Sequence, residues 1–145
     1  MRAARAYNPG GDVVIAAGPT PDPARRRILL VEDDDDFAES LTLLLGILGH
    51  EVRRASDGGE ALAVAQDYRP ALALVDIGLP GIDGYEVARR LRQAPGLAQT
   101  VLVALTGYGG RDDRLRCTAA GFDRHLLKPV DFAELKQLLG SLKGP

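Results

Sequence analysis

Short apolar runs alternate with longer amphipathic stretches along the chain from residue 27 onward. Apolar runs predict strands over residues 28–31, 71–75 and 101–105, a short alternating segment predicts one over residues 51–55, and residues 124–127 are predicted as a fifth strand. The stretches that follow them predict five helices, over residues 35–48, 61–68, from the Pro80–Gly81 turn to about Arg92, 111–120 and 131–143. Strands that alternate with helices are typical of parallel βαβ units, because parallel neighbours need a crossover connection.

Most of the predicted strands are nearly continuous in apolar residues, which indicates a sheet that is covered on both faces. The pattern therefore predicts the α/β fold class, with a doubly wound parallel sheet of five strands and five helices. In sheets of this kind, ligands bind just beyond the carboxyl ends of the strands. The functional residues are therefore expected where the apolar runs end.

Polar residues and glycine mark several helix boundaries. Asp57 and Glu60 have the spacing of a capping box at the start of the second helix. Gly49 is placed to end the first helix. A run of acids opens that first helix, and either Asp35 or Asp36 is expected to be its N-cap.

The first 26 residues differ from the rest of the chain. They contain four prolines and three glycines, and they have no amphipathic period. This composition predicts a flexible N-terminal segment at residues 1–26, followed by one folded domain at residues 27–145. A domain of that size can bury its apolar core without disulfides or structural metals.

Composition narrows the classes of partner and compartment. The chain carries 18 basic and 20 acidic side chains, a formal net charge of −2, so no nucleic acid or membrane partner held by bulk electrostatics is expected. No apolar run approaches the length of a transmembrane helix. The single cysteine, Cys117, excludes a disulfide framework and fits a reducing compartment, so a cytoplasmic location is expected.

Five polar residues stand where the predicted strands end. Glu32 and Asp33 follow the first strand, Asp76 the third, Thr106 the fourth and Lys128 the fifth. Carboxylates held close together repel one another unless they bind protons or a cation, and oxygen ligands suit Mg²⁺ better than zinc. A lysine and a hydroxyl beside Mg²⁺ favour a phosphoryl group as the remaining ligand, since phosphoryl transfer depends on positioning and charge neutralisation.

Four segments around these residues resemble the signatures of a known family. They are RILLVEDD at residues 27–34, ALVDIGLPGIDG at 73–84, VALTG at 103–107 and LLKPV at 126–130. Together, in this order and spacing, they resemble response-regulator receiver domains of two-component signalling. The resemblance covers about residues 27–143 and implies a flavodoxin-like sheet with strand order 2-1-3-4-5.

The resemblance also implies a role for each acid. Asp76 would accept a phosphoryl group from a histidine kinase or a histidine phosphotransfer protein, and the modified domain would signal to a downstream protein that the sequence does not identify. Asp33 and Asp76 would bind Mg²⁺ together with the backbone carbonyl of Gly78, while Glu32 would hold a metal-bound water. The protein would be a signalling phosphoacceptor that assists its own phosphorylation and dephosphorylation, rather than an enzyme.

Thr106 and Lys128 would contact the phosphoryl oxygens, with Pro129 following Lys128 through a cis peptide. In the family, the threonine also belongs to a conformational switch. His125 stands where relatives usually have a tyrosine or phenylalanine that swings inward on activation. Because burying an imidazole without a partner is costly, we expect His125 to stay outward and the switch to act through Thr106 and the loop 107–110.

The first predicted helix is apolar over an arc of about 200°, wider than the stripe of about 100° that a core-facing helix needs. Leu43 and Ile47 lie on one flank of this arc, and Phe37 lies in its middle. Two interpretations are open: neighbouring elements cover the flank, or it is a docking face for the helices of a partner. Under the second interpretation, Phe37, Leu43 and Ile47 contact the phosphoryl donor.

Three other functions fit these residues less well. An Mg²⁺-dependent phosphohydrolase would use Asp76 as its nucleophile, but it generally needs an acid or base two residues later, where Gly78 stands. A flavodoxin-like flavin binder would need a phosphate-cradling loop after the first strand, where this chain has acids. A non-phosphorylated interaction domain would keep only the shape, and the retained acids, Thr106 and Lys128 argue against it. The segments LTGYG and GFDRHLLKPV are similar to receivers attached to hybrid histidine kinases.

Overall fold

The structure, a computed structural model, describes residues 25–107 and 110–142. The predicted N-terminal segment lies outside the described residues except for Arg25 and Arg26. Tyr108 and Gly109, in the loop after the fourth strand, also lie outside them, as does Lys143 at the predicted end of the last helix.

Strands and helices alternate as predicted along the described chain. They are β1 (Arg27–Val31), α1 (Asp35–Ile47), β2 (Glu51–Ala55), α2 (Gly58–Tyr68), β3 (Leu72–Asp76), α3 (Gly84–Gln93), β4 (Val101–Thr106), α4 (Arg111–Ala120), β5 (Arg124–Leu127) and α5 (Phe132–Ser141). The boundaries shift from the predicted ones by a few residues at most. Among the described residues, no helix is both long and apolar enough to span a bilayer.

The strands form one parallel sheet in the order β2-β1-β3-β4-β5, which confirms the predicted doubly wound topology. Val31, the last residue of β1, lies beside Ala55 of β2 and Val75 of β3. Asp76 at the end of β3 lies beside Leu105 of β4. The carboxyl ends of these strands are therefore level, and the residues just beyond them meet at one edge of the sheet, which we call the carboxyl edge.

Helices cover both faces of this sheet. α1 and α5 pack on one face through residues such as Leu41 and Leu135, whereas α2, α3 and α4 pack on the other through residues such as Ala65 and Leu91. Successive residues of the central strands alternate between the two layers, and all five residues of β3 are buried. Burial on both faces removes the need for polar positions, so these strands are continuous in apolar residues up to the acids.

The N-cap of α1 is Asp34, so the predicted cap at Asp35 or Asp36 is wrong. Asp34 has an extended backbone, with φ −80° and ψ 113°, and its Oδ1 accepts a hydrogen bond from the N–H of Phe37 at 3.1 Å. The chain turns into the helix so soon after β1 that the next two acids are already helical. They occupy the first turn, where a carboxylate interacts favourably with the positive end of the helix dipole.

Two other predicted boundary signals are present. Gly49 follows α1 with a φ of +94°, and its N–H donates to the carbonyl of Gly46 at 3.0 Å, so the predicted glycine stop is confirmed. At α2, the N–H of Glu60 donates to Asp57 Oδ1 at 2.8 Å, and Glu60 Oε1 accepts from the N–H of Ser56 at 2.8 Å. With Asp57 as the cap, the helix begins at Gly58, three residues before its predicted start.

Arginines occupy the opposite edge of the sheet, the amino edge, where α2, α4 and α5 end. None of these three helices has a basic residue in its last turn. Their terminal carbonyls accept hydrogen bonds from arginines elsewhere in the chain: Arg27 donates to Tyr68 at 2.9 Å, Arg92 to Gly121 at 2.7 Å and Arg26 to Leu142 at 3.2 Å. Arg26 is buried, so the domain packs from one residue before its predicted boundary.

Candidate functional site

Three acids meet at the carboxyl edge. Glu32 and Asp33 directly follow β1, Asp76 is the last residue of β3, and these two strands are neighbours in the sheet. One carboxylate oxygen from each residue lies within 4.8 Å of the other two. Glu32 is fully buried, Asp76 is 9% exposed and Asp33 is exposed. The strand ends therefore bring the three predicted acids together, with their open side at Asp33.

The buried acid Glu32 is fixed by contacts on several sides. Its Oε2 accepts a hydrogen bond from the N–H of Asp34 at 3.1 Å, and its Oε1 lies 2.7 Å from Lys128 Nζ. Its own N–H donates to the carbonyl of Ala55, at the end of β2, at 3.0 Å. These contacts hold the carboxylate at the base of the acid cluster.

Lys128 brings a positive charge into the cluster. It directly follows β5, and its N–H donates to the carbonyl of Thr106 at 2.8 Å. Its Nζ lies 3.5 Å from Asp76 Oδ2 in addition to its shorter contact with Glu32. Thr106 is buried at the end of β4, one residue beyond the position beside Asp76. The predicted cis peptide between Lys128 and Pro129 is confirmed.

The electrostatics follow from burial and from this ion pair. Burial raises the pKa of Glu32, and the charge of Asp76 adds to that effect, although hydrogen bonds from Lys128 and from the N–H of Asp34 oppose it. Burial alone would lower the pKa of Lys128, but Glu32 and Asp76 outweigh it, so the pKa of Lys128 is raised. Two of the three carboxylates therefore contact one stable ammonium, and the cluster keeps an excess of negative charge.

This donor set fits Mg²⁺. All three ligand candidates are carboxylates, the class of ligand that a small hard cation prefers in proteins. Three protein oxygens leave coordination positions for water and for the oxygens of a substrate, as expected of Mg²⁺, which usually keeps several non-protein ligands. The excess negative charge of the cluster also favours a divalent cation there.

The loop after β3 holds Asp76 in a defined orientation. The N–H of Gly78 donates to Asp76 Oδ1 at 2.9 Å, so Oδ2 is the oxygen nearest Lys128. Gly84 opens α3 directly against this loop, because a Cβ at that position would lie 2.5 Å from both the carbonyl oxygen of Asp76 and the Cα of Ile77. A side chain there would displace the loop. The role of the Gly78 carbonyl as a metal ligand stays a prediction.

Two contacts at this site were missed by the sequence analysis. Lys128 Nζ lies 4.6 Å from the centroid of the Phe37 ring, a cation–π distance, so this residue of the predicted docking face also contacts the site. Arg54, near the end of β2, donates to the carbonyl of Glu32 at 2.8 and 3.1 Å and lies 2.8 Å from Asp35 Oδ1. The contact of Arg54 could have been expected, because β1 and β2 are predicted neighbours that end at the same edge of the sheet. The contact of Phe37 could not, because helix periodicity does not predict which side chain a residue meets.

The other predicted site residues lie apart from the acids. His125 is half-buried in β5 and lies beside Ala104, on the sheet face that α2, α3 and α4 cover. Leu43 and Ile47 are 63% and 69% exposed on α1. The interpretation that neighbouring elements cover this flank is therefore wrong for the described part of the chain. The predicted roles of His125, Leu43 and Ile47 stay predictions.

The chain belongs to the response regulator receiver domain family, whose sequence profile matches residues 28–140. It is therefore a receiver domain of two-component systems, and the predicted family is confirmed. The family match and the observed strand order agree on the flavodoxin-like fold.

Curated relatives include both a sensor protein and a response regulator. The chain is 38% identical over 112 residues to the virulence sensor protein BvgS of Bordetella pertussis. The aligned region covers 72% of this chain and 9% of BvgS. It is 39% identical over 98 residues to the two-component response regulator PhoP of Pseudomonas aeruginosa. This alignment covers 68% of this chain and 43% of PhoP. The chain thus spans less than half the length of either relative.

Solved structures of receivers resemble the whole described fold. A putative response regulator from Chloroflexus aurantiacus is 37% identical with a TM-score of 0.74, covering 80% of this chain and 98% of that chain. The receiver domain of sensor histidine kinase PA1611 from Pseudomonas aeruginosa is 34% identical with a TM-score of 0.73, covering 79% and 93%. That receiver was solved with a magnesium ion coordinated in its active-site cleft.

Proposed function

We propose that this receiver domain accepts a phosphoryl group on Asp76 from the phosphohistidine of a histidine kinase or a histidine phosphotransfer protein. The observation that carries the proposal is the setting of the Asp76 carboxylate. Its Oδ1 is held by the N–H of Gly78, and its Oδ2 lies 3.5 Å from the ammonium of Lys128. One oxygen is thus fixed by the backbone, and the other is directed toward a cation that can pair with an incoming phosphoryl group.

The transfer would exchange one bond at phosphorus for another. A carboxylate oxygen of Asp76 attacks the phosphorus, the P–N bond of phosphohistidine breaks, and the imidazole nitrogen leaves with the electron pair and takes a proton from water. Lys128 and the hydroxyl of Thr106 would then hold the phosphoryl oxygens. Such residues accelerate phosphoryl transfer mainly by positioning and by charge stabilisation.

Asp33, Asp76 and the backbone carbonyl of Gly78 would hold Mg²⁺, with Glu32 holding a metal-bound water. When bound, the ion would neutralise charge on the phosphoryl oxygens. The buried position of Glu32 and its hydrogen bond from Asp34 suit a residue that stays fixed while ligands exchange in front of it.

The acyl phosphate would change the population of two surface conformations. Thr106 would move toward the phosphoryl group, carrying the loop that follows it, and His125 would stay outward. We expect a downstream protein to recognise the altered surface, and we place this relay in the cytoplasm. The one cysteine, Cys117, is a buried free thiol, which suits a reducing compartment.

Acetyl phosphate and Mg²⁺ provide the direct test of this proposal. The wild-type protein should gain one phosphoryl mass by intact mass spectrometry, and both Asp76→Asn and chelation of the metal should abolish the gain. Asp67→Asn, which removes an exposed acid on α2, is the matched control and should label normally. Labelling of Asp76→Asn at the wild-type level would refute the assigned acceptor.

The exposed flank of α1 is proposed as the docking face for the phosphohistidine donor. Leu43→Glu and Ile47→Glu should slow transfer from a donor domain that labels the wild-type protein, yet leave labelling by acetyl phosphate unchanged, because the small molecule needs no docking. Leu115→Glu is the matched control, since Leu115 is 59% exposed on α4. Equal transfer rates in all three variants would remove the docking role from α1.

A further inference from the structure

A cavity of about 950 Å³ opens at the amino edge, where the strands begin. Six arginines of the described chain line it: Arg25, Arg26, Arg27, Arg69, Arg92 and Arg124. Asp123 is the one acid among its described lining residues. The five residues of β1 separate this cavity from the acids at the carboxyl edge, a distance of about 17 Å at the rise of an extended strand. The cavity is therefore distinct from the proposed phosphoryl site.

Three of these arginines donate hydrogen bonds to backbone carbonyls of the fold. Arg26 and Arg27 donate to carbonyls at the ends of α5 and α2. Arg92 donates to the carbonyls of Ala98, Thr100 and Gly121 at 2.7–2.9 Å and pairs with Asp123 at 2.9 Å. Their role is to satisfy carbonyls that the helices and the following loop leave without an internal partner.

The other three arginines are much less engaged. Arg25 lies 3.7 Å from Glu51, and Arg124 donates to the hydroxyl of Ser141 at 3.1 Å. The guanidinium of Arg69 has no hydrogen-bond or ion-pair partner among the described residues, and it lies so close to Gly96 that a side chain there would collide with it. Because each guanidinium has five N–H donors, most donors of these three residues have no partner among the described residues.

The cavity keeps a net positive charge after the negative groups beside its arginines are counted. Six guanidiniums against Asp123 leave a formal excess of five positive charges. The C-terminal ends of three helices contribute about half a negative charge each, and Glu51 offsets one more beside Arg25. An excess of about two to three positive charges remains, although the whole chain has a net charge of −2.

We propose that the amino-edge cavity binds a polyphosphate anion, either free pyrophosphate or the pyrophosphate group of a nucleotide. Arg25, Arg69 and Arg124 would hold its oxygens, because planar guanidiniums pair with phosphate through parallel N–H donors. The volume lies within the range of small-molecule sites, and accessible apolar lining residues such as Ala98 and Val101 offer a surface for a nucleotide base. The site goes beyond the proposed phosphoryl relay and does not depend on it.

Isothermal titration calorimetry of the full chain tests this site. Sodium pyrophosphate, ADP and hexaglutamate are titrated separately at low ionic strength, with EDTA present so that no metal recruits phosphate to the carboxyl edge. The double variant Arg69→Gln/Arg124→Gln removes two cavity charges. Arg111→Gln/Arg114→Gln removes two exposed charges from α4, outside the cavity lining, and is the matched control. Gln99→Glu adds a negative charge to the lining and leaves every arginine in place.

The proposal predicts saturable binding of pyrophosphate or ADP that weakens about tenfold or more in the cavity double variant. Gln99→Glu should also weaken it, and the α4 double variant should bind like wild type. Tighter binding of ADP than of pyrophosphate would assign the ligand to the nucleotides, and the reverse order would assign it to the inorganic ion. The absence of saturable binding, equal losses in both double variants, or equally tight binding of hexaglutamate would each overturn the proposal.

Discussion

The two edges of the sheet concentrate opposite charges and use them differently. At the carboxyl edge, three acids lie together and two of them contact the ammonium of Lys128, so the described residues match their negative charge only in part. At the amino edge, arginines such as Arg26, Arg27 and Arg92 donate mainly to backbone carbonyls. The carboxyl edge therefore has charge available for a ligand, whereas much of the charge at the amino edge stabilises the fold.

The difference follows from the topology. In a doubly wound sheet, the carboxyl ends of strands and the starts of helices share one edge, and the ends of helices share the other. Helix starts present N–H groups, which Asp34, Asp57 and similar side chains cap locally. Helix ends present carbonyls, and α2, α4 and α5 lack a basic residue of their own to pair with them. Arginines from distant positions provide that pairing.

Lys128→Ala should give the largest effect at the carboxyl edge. We expect phosphorylation by acetyl phosphate to slow about a hundredfold to a thousandfold, because the transferring group loses a fixed cation. Mg²⁺ affinity should be kept or increased, since a like-charged neighbour of the metal is removed. Labelling rates and magnesium calorimetry separate the two effects, and a large loss of Mg²⁺ affinity would contradict the assigned role.

Arg92→Ala tests the structural use of charge at the amino edge. This change leaves three carbonyls and Asp123 without their guanidinium partner, so the free energy of unfolding should fall by about 2–4 kcal/mol. Arg89→Ala, in the same helix, breaks an exposed pair with Glu86 and should cost no more than about 1 kcal/mol. Urea denaturation measures both, and equal losses would show that the carbonyl contacts of Arg92 add nothing.

Phe37→Leu should give the smallest effect, and it tests the cation–π contact at the carboxyl edge. Leucine keeps the apolar packing on α1 but removes the aromatic face that lies 4.6 Å from Lys128 Nζ. A cation–π contact of about 0.5–1 kcal/mol corresponds to a two- to fivefold slower labelling by acetyl phosphate. In the Lys128→Ala background the same substitution should have no further effect. A loss of equal size in both backgrounds would mean that Phe37 acts without Lys128.

Much of the carboxyl edge could be predicted from the sequence, because the fold brings strand ends together by rule. Glu32, Asp33 and Asp76 each follow an apolar run, and no side-chain geometry is needed to expect them side by side. The choice of Asp34 as the cap could not be predicted in the same way. It depends on where the backbone changes from extended to helical geometry, and three adjacent acids offer the same side chain at each position.

The contacts at the amino edge could hardly be predicted from the sequence. Its arginines come from six positions spread between Arg25 and Arg124, and no local spacing connects them. Their contacts depend on the direction in which long flexible side chains leave the backbone. The exposure of Leu43 and Ile47 was similarly undecided, because helix periodicity defines a flank without saying what packs against it.

Site localisation after reductive trapping shows most plainly whether Asp76 accepts the phosphoryl group. The protein is labelled with acetyl phosphate and Mg²⁺ and treated with borohydride, which reduces an acyl phosphate to an alcohol. Peptide mass spectrometry then identifies the converted residue. We expect conversion of Asp76 to homoserine, with Asp33 unchanged. Conversion at Asp33 or at any other carboxylate, with Asp76 intact, would contradict it.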